Sequence, residues 1–363
     1  MITSRIDVSD IARYPDRIDV RTPSEYADDH LPGACSHPVL SDEERAHVGT
    51  LHAHEGAFIA KRVGAALVSR NVAHMLEQAF RDKPRDWTPL VYCWRGGKRS
   101  GSLTHILNEI GWRAVQLDGG YRAFRRHVRT ALTTLPDAFT YRVVCGLTGS
   151  GKSRLLAALA AEGAQVLDLE ALAAHRGSLL GDMPDAPQPS QKHFETRLFE
   201  ALQRYDSQRT VYVESESRRI GRVQLPDALL SSMRDAACVL VDLPHPLRVA
   251  LLREEYAHFL DDTEALVQQL APLTVLHGRD TIARWSAAAR AGEWDDFVGA
   301  LLAQHYDPTY TRSMERNFPR HASARVVRPE RIDMTHYREV ARELLADDAA
   351  AEPGTDRRAR DIA

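Results

Sequence analysis

With 363 residues, 44% of them apolar and 27% charged, the chain has the composition of a globular protein long enough for two domains. No run of about 18 apolar residues occurs and the N-terminus lacks the apolar core of a signal peptide, so a helical membrane span is excluded and the cytoplasm, with no membrane partner, is the expected location. The net charge of −3 excludes overall basic character and leaves nucleic-acid binding to local patches; Cys35, Cys93, Cys145 and Cys238, without a CxxC pair, argue against a structural metal or a disulfide scaffold.

In chain order, residues 17–21 read as a strand. Thr22, Pro23 and Glu25 then start a helix, with Thr22 at the N-cap and Glu25 placed for a capping box. Residues 43–79 carry helical apolar spacing, with Gly49, Gly56 and Gly64 as candidate breaks. Residues 90–92 form a strand that feeds the octet Cys93-Trp94-Arg95-Gly96-Gly97-Lys98-Arg99-Ser100. A helix over 102–110 stops at Gly111, and a strand over 114–117 ends in Asp118-Gly119-Gly120. Arg122, Arg125, Arg126 and Arg129 follow at helical spacing, either as phosphate contacts for RNA or as a solvated face. Strands alternating with helices predict a parallel α/β sheet.

A second α/β unit begins near residue 139, with strands over 141–145, 165–169, 210–214 and 239–243 and a helix over 152–162. From 246 to about 345 the pattern is mainly helical. The polar stretch 348–363 reads as disordered. The expected domains are 1–135 and 136–347, followed by that tail.

The octet places a thiol at a strand end before two glycines and three cations. Backbone N–H groups and nearby positive charge favour the thiolate, the reactive form. Successive amides in a glycine-rich turn make a nest for an anion. Cys93 is therefore the candidate nucleophile, with Arg95, Gly96, Gly97 and Arg99 forming a Cys-x5-Arg loop around a tetrahedral oxyanion. Trp94 and Tyr121, near the thiol in sequence, are candidates to stack an exposed base; Trp94 serves equally as packing.

Gly146-Leu147-Thr148-Gly149-Ser150-Gly151-Lys152-Ser153 fits the P-loop pattern between a strand and a helix. Gly146, Gly149, Ser150 and Gly151 supply the backbone cradle, Lys152 the charge and Ser153 a hydroxyl for Mg²⁺. Glu214, at the end of an apolar strand, is the candidate carboxylate for Mg²⁺ or its water, with Asp168 as the alternative. Arg218, Arg219 and Lys192 either hold a polyanion or pair with neighbouring acids. A P-loop specifies a phosphorylated ligand without specifying phosphoryl transfer.

Asp19-Val20-Arg21-Thr22-Pro23-Ser24-Glu25-Tyr26, His30-Leu31-Pro32-Gly33-Ala34, the Cys93 loop and Leu117-Asp118-Gly119-Gly120-Tyr121 resemble the signatures of a rhodanese domain. Such a domain fused to a P-loop domain resembles the bacterial tRNA 2-selenouridine synthases. Pro38 to Arg45, His175-Arg176-Gly177-Ser178, Gln188 to Lys192 and Glu214-Ser215-Glu216-Ser217 extend the resemblance over residues 5–330. It implies an N-terminal rhodanese-like α/β domain, then a P-loop NTPase-like parallel-sheet domain with a mainly helical C-terminal part. It also implies a tRNA-modifying selenotransferase that replaces the 2-thio sulfur of a wobble uridine by selenium. The donor would be selenophosphate, supplied by a selenophosphate synthetase. The route would pass through an S-geranylated thiouridine made from geranyl diphosphate, with Mg²⁺ accompanying the diphosphate. Cys93 would carry selenium, and apolar helices over about 247–302 are candidates for the geranyl chain or for ordinary core. The chain departs from the commoner rhodanese loop, since Arg99 stands six rather than five residues after Cys93. That spacing also matches cysteine phosphatases, although Tyr92 stands where they have His. An ATP-dependent sulfurtransferase acting on another acceptor is the alternative enzyme, and a redox-sensing nucleotide-binding module is the alternative without turnover.

Overall fold

A computed structural model describes residues 4–178, 180–183, 186–257, 259 and 262–351. The described residues fall into two compact units, one drawn from 1–133 and 189–200, the other from 134–188 and 201–363. None of the described helices is long and apolar enough to cross a membrane.

In the first unit, five strands form one parallel sheet. They are β1 (Arg5–Ile6), β2 (Arg17–Asp19), β3 (Ala34–Ser36), β4 (Leu90–Tyr92) and β5 (Val115–Leu117), in the order β1-β5-β4-β2-β3. The expected strand at 17–21 is shorter because Arg21 turns to hold Asp19 in a buried ion pair at 2.6 Å. Helix α1 (Pro23–Asp28) has the expected capping box, and Ser41 with Glu44 makes a second one at α2 (Asp42–His54). The helical run from 43 to 79 breaks only at Gly56, where α2 gives way to α3 (Ala57–Gln78). Gly49 and Gly64 lie inside these helices, and Gly64 faces Val48 where the two pack. Helices α4 (Lys98–Ile110) and α5 (Gly120–Ala131) follow β4 and β5. Val20, Val72, Val91, Leu103 and Leu107 are buried in the core of this unit.

The second unit is built on a parallel sheet too. Its strands β6 (Tyr141–Cys145), β7 (Gln165–Leu167), β8 (Val211–Glu214), β11 (Ala237–Val241) and β12 (Arg325–Val327) run in the order β12-β11-β6-β8-β7. Helices α6 (Lys152–Ala161), α7 (Leu169–Ala173), α9 (Asp227–Arg234) and α10 (His245–Glu255) belong to the alternating stretch, with a short ribbon of β9 (Arg219–Ile220) and β10 (Val223–Gln224) after β8, whereas α8 (Gln191–Gln203) belongs to the first unit as far as Glu200. Helices Thr263–Leu270, Arg279–Arg290 and Trp294–Leu301 build a separate apolar cluster with Phe259. Helix Met334–Ala351 packs on α6.

Two expected boundaries move. Residues 189–200, expected in the second domain, belong with the first unit. There, Ser190 Oγ donates to Asp28 O, Lys192 Nζ meets Asp28 Oδ2 at 2.5 Å, and Thr196 Oγ1 donates to the buried Asp29 carboxylate at 3.0 Å. The segment from 348 expected to be disordered starts as the end of a helix that runs to Ala351, and Asp348 accepts from Arg142 at 3.0 Å. The rest of that segment, 352–363, lies outside the described residues.

Candidate functional site

In the first unit, β4 delivers Cys93 at its C-terminal end and α4 begins at Lys98, so residues 93–97 turn over a helix N-terminus. Such a turn aims backbone N–H groups at whatever anion the loop receives. Cys93 is buried. Ser100 Oγ lies 3.1 Å from Cys93 Sγ as donor, with Gly97 O a longer alternative at 3.3 Å. Gln116 Nε2 donates to Ser100 Oγ at 2.7 Å and to Gly97 O at 3.0 Å. Occupying the hydroxyl's acceptor side leaves its hydrogen for sulfur.

The turn after β5 braces this loop. Tyr121 N donates to Cys93 O at 2.9 Å and Arg122 N to Trp94 O at 3.0 Å. Gly120, at φ +57°, leaves no room for a Cβ, which would overlap Cys93 O and Gly96 N. The signature at 117–121 is thus the other wall of the Cys93 loop.

Arg99 departs from expectation. Its two terminal nitrogens bind the Glu25 carboxylate at 2.6 and 3.2 Å, so it ties the loop to α1 instead of standing free as an anion clamp. Burial pushes Glu25 up, and the hydrogen bonds from Arg99 and Thr22 N more than offset it, leaving it below its ordinary value. Arg95 is exposed and has no ion-pair partner among the described residues; Gly96 is buried and Gly97 is the N-cap of α4.

Trp94 and Tyr121, with ring centroids 5.4 Å apart, line a cleft of about 570 Å³ together with Arg122, Arg125, Arg126 and Arg129. Arg122, Arg126 and Arg129 are exposed and unpaired among the described residues. Arg125 differs: it is half-buried in an ion pair with Glu195, because α8 packs against its face of α5. Lys192, expected near a diphosphate, lines this cleft instead and pairs with Asp28.

In the second unit the P-loop follows the central strand β6 and ends at α6, as its sequence predicts. It borders a cavity of about 250 Å³ that includes Gly149, Ser150, Gly151, Lys152 and Ser153. Gly146 sits at the start of the turn, where Lys152 Nζ donates to its carbonyl at 2.9 Å and to Leu147 O at 3.3 Å. Burial pushes the Lys152 ammonium down, opposed by the charges of Glu170 and Glu216.

The acids are arranged differently from expectation. Glu170 is the carboxylate at Ser153, whose Oγ donates to Glu170 Oε2 at 3.2 Å. Glu214 lies behind it, accepting from Glu170 N at 2.8 Å, with its other oxygen buried and unpartnered among the described residues. Burial, then the charges of Asp168, Glu170 and Glu216, hold Glu214 well above its ordinary value. Asp168 borders the cavity but its side chain caps α7, accepting from Ala171 N at 2.8 Å. Arg218 and Arg219 are exposed on and beside the β9–β10 ribbon, outside the cavity lining, and Arg218 pairs with Asp227 at 3.0 Å.

Sequence reasoning missed four residues here. Glu170 is concealed in the first turn of a short helix. Arg176 borders the cavity and lies 4.6 Å over the Tyr256 ring; its motif, 175–178, was visible but not its task. Tyr310 stacks over Lys152 Nζ at 4.8 Å from a distant helix. Arg248 bonds Thr148 O through Nε and Nη2 at 3.0 and 2.7 Å and pairs with Asp307, fixing the loop from outside.

The family model of the rhodanese-like domain matches residues 7–127, and that of the tRNA 2-selenouridine synthase AAA domain matches residues 139–277. A protein named tRNA 2-selenouridine synthase from Nitrosomonas europaea is 36% identical over 295 residues, which cover 79% of this chain and 74% of that protein. One of the same name from Hydrogenovibrio crunogenus is 33% identical over 331 residues, covering 82% and 89% respectively. Among solved structures, an N-terminal domain from Clostridium difficile 630 is 32% identical, covers 34% of this chain and 98% of its own, and has a TM-score of 0.31.

Proposed function

The chain belongs to the tRNA 2-selenouridine synthase family, and from that premise we propose that it replaces the 2-thio sulfur of a tRNA wobble uridine by selenium in two half-reactions, one in each unit. The supporting observation is that one chain carries two dissimilar anion sites: a thiol in a helix-capped glycine turn with a hydroxyl donor at its sulfur, and a P-loop whose lysine is folded onto its own carbonyls.

In the first half-reaction the P-loop binds the diphosphate of geranyl diphosphate. The thiouridine sulfur attacks C1 of the chain, the C1–O bond breaks, pyrophosphate leaves with the electron pair and the uridine loses its N3 proton. Lys152 and the loop amides stabilise charge as it develops on the leaving group. Alkylation turns a poor leaving group into a thiol that can depart.

Ser153 and Glu170, oxygen donors of the kind Mg²⁺ takes, would hold such a cation, with the unpartnered Glu214 oxygen behind them. No larger metal-binding cluster occurs among the described residues. The ion would neutralise the departing pyrophosphate.

In the second half-reaction selenium from selenophosphate forms a bond to C2 of the uridine, the C2–S bond breaks and geranyl thiol leaves. Water takes the phosphoryl group as phosphate. Cys93 is the nucleophile proposed for this exchange: its sulfur bonds C2 as geranyl thiol leaves, and the selenium of selenophosphate then displaces the cysteine sulfur, with the loop amides and Ser100 holding the groups in place. The donor comes from a selenophosphate synthetase, and the RNA lies along the arginine cleft.

The test is mass analysis of a thiouridine-containing tRNA incubated with the protein and geranyl diphosphate, then with selenophosphate added. A gain of one geranyl group followed by its exchange for selenium is expected. Selenation with geranyl diphosphate rigorously absent would overturn the two-step route.

A further inference from the structure

A second cavity lies next to the P-loop cavity within the second unit. It measures about 60 Å³ and is walled by Leu180, Phe259, Leu266, Phe297 and Leu301 among others. The two cavities share Thr148, Ser178, Leu252 and Tyr256. Polarity is graded across them. Charged and hydroxyl groups surround the P-loop, the hydroxyls of Thr148 and Ser178 stand at the junction, and the walls away from it are apolar. Arg253, the one charged side chain in the lining, is turned to an exposed ion pair with Asp295. Leu252 packs directly on the loop: a Cβ at Gly149 would stand 2.7 Å from its Cγ. Arg248 fixes the Thr148 carbonyl at the same junction.

A void is unusual in a core otherwise closely packed, and an apolar one stays dry until an apolar group fills it. We infer that this cavity seats the hydrocarbon chain of a prenyl diphosphate whose diphosphate rests on the P-loop, and that Phe297 and Leu301 limit its length; this rests on reading the P-loop as a diphosphate site. A nucleotide base does not suit it. A purine has a polar edge that must be hydrogen-bonded when buried, and beyond Thr148 and Ser178 the lining is dominated by Leu, Val, Phe, Tyr and Trp side chains. At about 60 Å³ the cavity takes the far end of such a chain, with the rest crossing the junction beside Leu252 and Tyr256.

The whole chain is tested by calorimetric titration with inorganic pyrophosphate, geranyl diphosphate and farnesyl diphosphate, which gives each affinity, and in parallel by the fluorescence of Trp294, which lines the cavity, with Trp294→Phe as control. Geranyl diphosphate should bind about 100-fold more tightly than pyrophosphate, from burial of its chain, and should alone perturb Trp294. Phe297→Ala, or the milder Leu301→Val, should raise the farnesyl-to-geranyl ratio of kcat/KM on a thiouridine stem-loop by about tenfold, with pyrophosphate affinity unchanged. Equal wild-type affinity for pyrophosphate and geranyl diphosphate overturns the inference, whether or not the variants fold. Geranylation by wild type with an unchanged ratio in folded variants overturns the pocket and leaves the two-step function standing. Chain-dependent binding without any geranylated RNA does the reverse.

Discussion

At the scale of single residues, the sulfur of Cys93 is governed by its neighbours. The hydroxyl of Ser100 faces it only because Gln116 takes up the opposite side of that hydroxyl. Hydrogen bonds to a charged partner contribute about 1.5–3 kcal/mol, so Ser100→Ala should slow selenation roughly 10- to 100-fold while geranylation is unchanged, and Cys93→Ser should abolish selenation alone. Equal loss of both half-reactions, measured by mass analysis of the RNA after each step, contradicts this division. The acids behind the P-loop carry a second prediction. Burial, with the Glu170 charge adding to it, raises Glu216 to about 8. A folded protein that keeps this carboxyl protonated binds more protons than the unfolded chain between the ordinary value of 4.5 and about 8. The stability tied to Glu216 is therefore complete below that window and is lost as pH rises through it. Melting temperatures measured from pH 5 to 9 should fall less steeply in Glu216→Gln; an identical slope rules out the protonated state assigned to this group.

At the scale of elements, the loops at strand ends were legible and their supports were not. Thr22 with Glu25, Gly111 and the P-loop glycines act through local backbone chemistry, so the sequence around each one carries its whole meaning. Gly64 misreads as a break because a helix tolerates glycine where another helix packs closely, a tertiary fact, whereas Gly49 lies inside α2 beside Arg45 of the same helix. Short strands such as β1, β3 and β12 have too few residues to show a period. Arg99 belongs to the same class: a cation six residues after a thiol looks like an anion clamp until a carboxylate from α1, 74 positions away, is seen to hold it. Glu170, Tyr310 and Arg248 reach the P-loop from three separate helices, with no shared spacing to betray them. The turn from β5 into α5 gives the element-scale prediction. Gly120 has φ +57°, and a Cβ there meets the Cys93 carbonyl. Gly120→Ala should displace the Cys93 loop and cut selenation at least tenfold, the order of cost of 1–3 kcal/mol for a strained backbone, with Lys152-dependent geranylation retained. Retained selenation in the folded variant contradicts the bracing role.

For the whole molecule, the charge total of −3 hides a local excess that matters more to RNA than the sum does. The four arginines of α5 are not equivalent. Arg122, Arg126 and Arg129 are exposed and have no acid of their own among the described residues, whereas Arg125 is taken up by Glu195 and Lys192 by Asp28. Free cations release counterions when they meet phosphate, and paired ones must first give up a partner. Replacing any of the three free arginines by Ala should therefore lower tRNA affinity most at low salt and reduce the slope of log affinity against log salt by about 1. Arg125→Ala should instead lower the melting temperature, because it leaves Glu195 half-buried without its cation, and should leave the salt slope nearly intact. Binding isotherms of the four variants at several salt concentrations separate these cases. A slope altered as much by Arg125→Ala as by Arg126→Ala would show that RNA displaces Glu195, and the cleft would then bind by exchange of an internal ion pair.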